Sequence, residues 1–338
     1  MTTRRRVWLV AIIGIVLLSG AAGYGVVAWA EHRSRASAPS EVESVITDTR
    51  PAGARVVFRN TALGAGYGLV ASVPLSDPTA ARIVTDLACD RVYATAALQS
   101  CLHIDRGVVT TFTGTLSDAA GRETRSWPLA GVPSRTRISA DSTLVAATSF
   151  VTGESYGTVE FSTMTTISHT DGSQDYGNLE DFALFVDDVQ ITAADRNVWG
   201  ITFGDDGNTF YATAASNNQT WLVRGDLTAR TLTAIRDGAE CPSLSPDGGR
   251  IAYKKEVSAT VTPRWTIAVL DLATGAETLL SEKRNVDDQV VWLDDDTILY
   301  GLGRDDTVGD SDVWAVSADG DAEPELFLAH AWSPSVVR

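Results

Sequence analysis

The chain has 338 residues, 44% of them hydrophobic and 21% charged, and a formal net charge of −16. Those proportions belong to a packed globular protein and exclude a disordered chain. The acidic excess argues against nucleic acid as a partner, because most of such a surface repels a polyanion.

Arg4-Arg5-Arg6 precedes residues 7–30, a run of 24 residues without a charge. That run is long enough to cross a hydrocarbon core of about 30 Å as a helix. Three arginines ahead of it imply a cytoplasmic tail (residues 1–6), a single membrane pass and an exported remainder. Ala28-Trp29-Ala30 also has the small-x-small form of a signal-peptidase site. The alternative to a transmembrane anchor is therefore a signal peptide cleaved after Ala30, which leaves a secreted protein. The run is longer than an ordinary signal core, which favours the anchor, and no lipobox cysteine follows it. Beyond residue 30 the chain holds 43 acidic residues against 24 basic ones, a net of −19.

Residues 31–50 are polar and read as a spacer off the membrane. Beyond them, short apolar runs of period two alternate with Gly, Asp, Pro and Asn, the pattern of strands and tight turns. Cys89 and Cys101 bracket "CDRVYATAALQSC". If 91–93 and 98–102 pair around a turn at 94–97, the two cysteines meet across a hairpin, and an oxidising compartment permits a disulfide. Free thiols and a Cys101–Cys241 bridge are the other readings. No Cys/His spacing suits zinc.

The chain repeats itself. "WGITFGDDGNTFYATA" (199–214), "CPSLSPDGGRIAYKK" (241–255) and "QVVWLDDDTILYGL" (289–302) each run strand, Asp turn, strand. "TRISADSTLVAATSF" (136–150) is a fourth copy, "TDLACDRVYATAA" (85–97) a fifth, and "HAWSPSVV" (330–337) a truncated sixth. The turns fall near 89, 139, 204, 245, 293 and 333, with Asp141, Asp206, Asp247 and Asp295 as turn residues. In phase with them, Trp221, Trp265 and Trp314 each open an apolar strand that ends in an Asp turn and another strand. Four antiparallel strands per period make the blade of a β-propeller. The expected fold is thus all-β, a six-bladed propeller over residues 51–338, behind the N-terminal segment. The blade begun near Ser333 must be completed by "ARVVFRN" and "YGLVASVPL" from the N-terminal side, which closes the ring. The one long interval points to an insertion at 168–188, read as a loop on one face.

At "LSPDGGRIAYKK" followed by "WTIAVLDLATGAETLL" the chain resembles the TolB-like propeller family, whose repeats carry an S-P-D-G-x-x-I-A-Y turn and an aromatic-led V-x-D-L-x-T-G strand pair. The match is strong over 241–280, good at 199–235 and 289–328, and weak before 140. The arrangement is similar to membrane-anchored or secreted TolB-like proteins of actinobacteria. TolB itself places an α/β domain before its propeller, and here a short spacer stands instead. The resemblance implies a six-bladed propeller outside the cytoplasmic membrane and does not carry over membership of the Tol-Pal system.

Chemistry-bearing patterns are few. Gly153-Glu154-Ser155-Tyr156-Gly157 fits the G-x-S-x-G of a nucleophile elbow, which requires a strand-turn-helix context and later Asp and His residues. The Thr-rich alternation after Gly157 reads as a strand, so Ser155 is expected in a loop. "GDDGN" (204–208), "DDQVVWLDDDT" (287–297) and "GRDDTVGDSD" (303–312) lack an EF-hand pattern and read as solvated turns. Glu180 and Asp181 are adjacent, and adjacent residues on a strand face opposite ways. Four dispersed histidines (His32, His103, His169 and His330) do not form a metal cluster. No catalytic, metal or cofactor residue is expected. The reading is a monomeric, non-enzymatic module that binds an envelope protein or cell-wall ligand. An envelope hydrolase or lyase acting on glycans or peptides is the alternative.

Overall fold

The computed structural model describes residues 3–47, 49–107, 109–151, 162–257, 264–305 and 307–338. The alternating segments pair with their sequence neighbours into six antiparallel blades around a central channel. Named from the channel outward, blade 1 is Arg91–Ala94, Leu98–Arg106, Thr110–Asp118 and Glu123–Pro128. Blade 2 is Val132–Ile138, Leu144–Val151, Ser162–His169 and Asp175–Asn178. Blade 3 is Asn197–Phe203, Thr209–Ser216, Gln219–Asp226 and Thr231–Asp237. Blade 4 is Ala239–Leu244, Arg250–Glu256, Trp265–Asp271 and Glu277–Leu279. Blade 5 is Val291–Trp292, Thr297–Gly303, Ser311–Ser317 and Glu325–Leu328.

Blade 6 closes the ring. Its inner strand, Ala331–Val337, comes from the C-terminal end and pairs antiparallel with Arg55–Asn60, with Arg55 opposite Val337 and Asn60 opposite Ala331. Leu69–Pro74 and Arg82–Ala88 complete the blade.

The inner strands pair on one side only, so their other edge owes hydrogen bonds to something else. Side chains of neighbouring blades supply them. The Ala94 N–H donates to Ser335 Oγ at 2.9 Å, and the Ser335 hydroxyl donates to Ala94 O at 2.9 Å. Cys241 N–H donates to Thr213 Oγ1 at 2.8 Å. The Gln289 amide donates to Ile201 O and Pro242 O, and the Trp292 indole donates to Ser243 O. Apolar faces fill the space between blades. Leu144, Ile167, Val198, Phe210, Ala212 and Trp221 form one such layer between blades 2 and 3.

Three expectations shift. First, the turn of blade 1 is built on Thr95, whose N–H bonds Leu98 O, as Ser245 N–H bonds Arg250 O. Cys89 precedes the inner strand, and Ser333 lies within one. Both anchors sit several residues early, because C-D-R and W-S-P imitate the turn's composition. Second, 168–188 is not a surface loop. Its first part forms Asp175–Asn178, the outer strand of blade 2. A 3₁₀ turn, Leu179–Asp181, then leads to Ala183–Val186, which adds in parallel to the outer edge of blade 3. Burial of Leu179, Phe182 and Leu184 pulls the segment down. Third, residues 31–50 are more than a spacer. Helix α1 spans Thr3–Ser37, and Ser44–Ile46 then pairs in parallel with Arg82–Ala88 at the edge of blade 6.

The end of α1 is fastened to the disc. Gly64 N–H donates to Arg35 O at 2.8 Å, and the Arg35 guanidinium donates to the Tyr67 hydroxyl at 2.8 Å. Described apolar side chains of α1, among them Trp8, Ile15, Tyr24 and Trp29, are exposed. Among the described residues no helix is long and apolar enough to cross a membrane; several positions of the run 7–30 are outside that description.

Gly200 marks a close approach of two inner strands. Its φ is +69°, and a Cβ there would lie 2.7 Å from Cys241 Cα. Gly200→Ala is expected to cost about 2 kcal/mol or more through backbone strain and a clash that a side-chain rotation cannot relieve. A chemical-denaturation midpoint unchanged from the parent chain would contradict that packing.

Candidate functional site

A propeller's variable chemistry lies at the two faces of its channel. On the face carrying the hairpins between second and third strands, a cavity of about 610 Å³ opens over blades 2–4. Its floor is the start of three inner strands, with Ser134 and Arg135, Asn197 and Trp199, and Glu240 and Cys241. Its walls include Phe150, Gln219, Lys254, Glu256, Trp265 and Asp287. On the opposite face a cavity of about 540 Å³ is bounded by the Asp turns. A neck of about 30 Å³ between inner strands, lined by Arg91, Arg135, Arg137 and Asp288, lies in the channel.

The charges of the larger cavity centre on one buried lysine. Lys254 is almost wholly buried, and its ammonium lies 2.6 Å from Asp287 and 3.6 Å from Glu240, above the Trp265 ring at 4.8 Å. Burial alone would lower its pKa, but the anionic surroundings outweigh it and the net shift is upward. Desolvation pushes the Glu240 carboxyl up, with Lys254 opposing. Asp195 at the rim accepts the Ser216 hydroxyl and the Asn217 N–H, both at 2.7 Å, which holds its pKa down. Burial pushes the Cys241 thiol up, so it is a poor nucleophile there. Among the described residues no His lines this cavity, and no group of three His, Cys, Asp or Glu is placed to hold a metal ion.

The residues singled out from sequence fall mainly in the framework. Asp141 accepts the hydroxyls of Ser139 and Thr143 and the Thr143 N–H. Asp206 does the same for Thr209 and also takes Asn208 N–H. Asp247 accepts the Ser245 hydroxyl and Gly249 N–H. In blade 5 it is Asp294 that makes the local bond, to Asp296 N–H, while Asp295 reaches across to Asp247 N–H. Trp221 is buried between blades, Trp265 faces the cavity, and Trp314 lies 3.7 Å from the Arg284 guanidinium. Cys89 and Cys101 are joined by a disulfide, and Cys241 is free and buried. Ser155 lies outside the described residues; the strands flanking it, Leu144–Val151 and Ser162–His169, are antiparallel neighbours in blade 2.

Two of the acidic runs are not simple solvated turns. Asp288 is buried in the channel. Asp310 and Asp312 pair with Arg304, and Asp310 also meets His330 Nδ1 at 2.7 Å and takes the Thr61 hydroxyl at 2.7 Å, joining blades 5 and 6. The channel arginines, Glu240 and Lys254 belong to no catalytic motif, and so motif reading passes over them. The signal they do carry is a charge inside an apolar inner or second strand, as in "RTRI" and "AYKK".

No family model matches the chain, and no curated protein does. Solved structures do match. TolB from Acinetobacter baumannii aligns with a TM-score of 0.57 over 84% of this chain and 66% of that chain, at 15% identity. A chain of the nidogen/laminin complex aligns with a TM-score of 0.55 over 84% of this chain and 98% of that chain, at 11% identity. This chain therefore spans just under two thirds of the length of the TolB chain. The six-bladed propeller is structurally similar to both, and at such identities the likeness is one of fold.

Glu180, adjacent to Asp181 in the 3₁₀ turn, supplies a pH prediction. Its carboxylate accepts the Thr163 hydroxyl and the N–H groups of Thr165 and Val198. Desolvation outweighs these bonds and pushes the group up to about 7 from 4.5. A folded-state pKa above the unfolded one means stability that is complete below pH 4.5 and lost as pH rises through about 7. At 1.36 kcal/mol per unit the loss is at most about 3 to 4 kcal/mol. Thermal midpoints of the parent and Glu180→Gln chains between pH 4.5 and 8 should diverge, with the variant flatter. Parallel profiles would contradict this assignment.

Proposed function

We propose that the chain is a non-enzymatic binding module, anchored in a membrane by residues 7–30 and exposing its propeller on the outer side to a partner protein or cell-wall ligand. The observation that carries the reading is the open cavity over blades 2–4. It combines aromatic surfaces (Phe150, Trp199, Trp265) with carboxylates and amide groups around its mouth, the mixture that gives binding sites apolar contact plus orientation. Its buried cation, Lys254, is already held by Asp287 and Glu240, which suits recognition better than proton transfer. The anchor reading rests on 24 uncharged residues within a continuous helix. Their apolar side chains, where described, point outward without a protein partner to cover them. Because α1 ends against the hairpin face at Gly64 and Tyr67, the cavity opens on the same face that holds the anchor's end.

One observation favours a second reading. Glu240, with its raised pKa, stands in the same cavity as Glu256 and Asp287, a pattern open to acid–base chemistry on envelope glycans or peptides.

A photo-crosslinking residue at Gln219, on the cavity wall, is expected to capture a discrete partner in native envelopes. The same residue at Asp296, in a turn on the other face, should capture none, and the protein should stay in the membrane pellet after alkaline carbonate. Equal labelling at both positions would overturn the binding reading. Turnover of envelope glycans or peptides by the full chain, abolished in Glu240→Gln, would establish the second reading in its place.

A further inference from the structure

The channel neck holds more positive charge than its neighbours cancel. Arg91 Nη1 lies 3.1 and 3.3 Å from the two oxygens of Asp288, and Arg135 Nη2 lies 3.4 Å from Asp288 Oδ1. Both ion pairs thus end on one carboxylate, whose side chain is 2% exposed. Arg137, two residues beyond Arg135 and on the same side of the strand, is buried, and among the described residues its guanidinium donates to neutral groups, Ser243 Oγ and Val290 O. Its ring contact is with Tyr93, at 4.8 Å. The Nε atoms of Arg135 and Arg137 are buried, and neither has a hydrogen-bond partner among the described residues.

Two further carboxylates stand nearby, and one of them, Asp287, also acts on Arg135 electrostatically. Asp287 and Glu240 are drawn to the Lys254 ammonium. Three guanidinium groups against one carboxylate is a costly arrangement for a buried site, because each unpaired charge loses hydration without a compensating partner. Burial, aided by repulsion from Arg135, pushes the Arg91 guanidinium down to about 10 even beside Asp288, whereas at Arg135 burial is outweighed by its anionic neighbours, Asp288 foremost, and the net shift is upward. The neck is lined by these three arginines together with Asp288, Gln289 and Ser333, and its volume of about 30 Å³ admits one group about the size of a water molecule or two.

We propose that the neck of the channel is a binding site for a small anion, either a free halide or the carboxylate of a larger ligand, held between Arg91 and Arg135. Arg135 lines both the neck and the 610 Å³ cavity, so a carboxylate entering from the hairpin face meets it first. The site is independent of whether that cavity serves a partner.

The test is thermal unfolding of the full chain in detergent at pH 7 and fixed ionic strength. Isethionate, too large for the neck, is replaced stepwise by chloride or by acetate. The midpoint should rise with the logarithm of the small-anion concentration, as for any ligand that binds the folded state alone. Arg135→Gln should flatten the rise. Asp288→Asn, which removes the internal competitor, should tighten the apparent affinity several-fold, whereas a purely structural cluster would only lose stability. Should either variant fail to fold, anomalous scattering from bromide in crystals of the parent chain reads occupancy directly, as a peak in the neck. Displacement of bromide by acetate identifies a carboxylate site, and a response to halide alone identifies a halide site. Identical midpoints in all three salts, or weaker anion dependence in Asp288→Asn, would overturn the proposal, as would the absence of a bromide peak from crystals of a chain whose midpoint rises with chloride.

Discussion

Everything in this molecule depends on one pairing, that of Ala331–Val337 with Arg55–Asn60. A ring of blades has no intrinsic stop: without closure the first and last blades would each present a bare sheet edge. Here the two ends of the propeller share one blade, so the strand nearest the channel comes from one end and the four outside it from the other. Ser333 and Ser335 extend the closure sideways, bonding the backbone of Arg91–Ala94 in blade 1. His330, with Asp310 and Asp312, ties the same corner to blade 5. The polar groups at this seam therefore work for architecture before they work for anything else.

Closure brings together side chains that are far apart in sequence. Arg91, Arg135 and Asp288 come from blades 1 and 2 and from the lead into blade 5, and they meet only because the ring is complete. The cavity over blades 2–4 is likewise made from the first turns of three inner strands, with each blade contributing a small part of its wall. Rigidity of the frame, supplied by side chains that satisfy neighbouring backbone edges, leaves the chemistry of the faces to vary. That separation explains how one fold hosts many activities, and why the site, not the blade count, must carry the functional argument.

The fold was legible because its causes are local and repeated. Ser245, Asp247 and Gly249 spell a turn that bonds its own backbone, and Trp265 followed by Asp271 spells the next strand and turn. Where the signal was composition alone it misled: Cys89 and Ser333 imitated turn anchors, and 168–188 looked like a loop because Gly, Ser and Asp dominate its first half. Leu179, Phe182 and Leu184 carried the contrary message of burial, but no repeat existed to give them a register. The candidate site was nearly illegible, since Glu240, Lys254 and Arg135 are ordinary charges in sequence and acquire meaning only when three blades place them around one cavity.

The direct test of closure is to end the chain after Leu328, removing the inner strand of blade 6, and to compare its unfolding with that of the full chain. The account requires loss of the single cooperative transition across the whole propeller, with exposure of apolar surface at blades 5 and 6. A shortened chain that unfolds in one transition at the parent midpoint would contradict it.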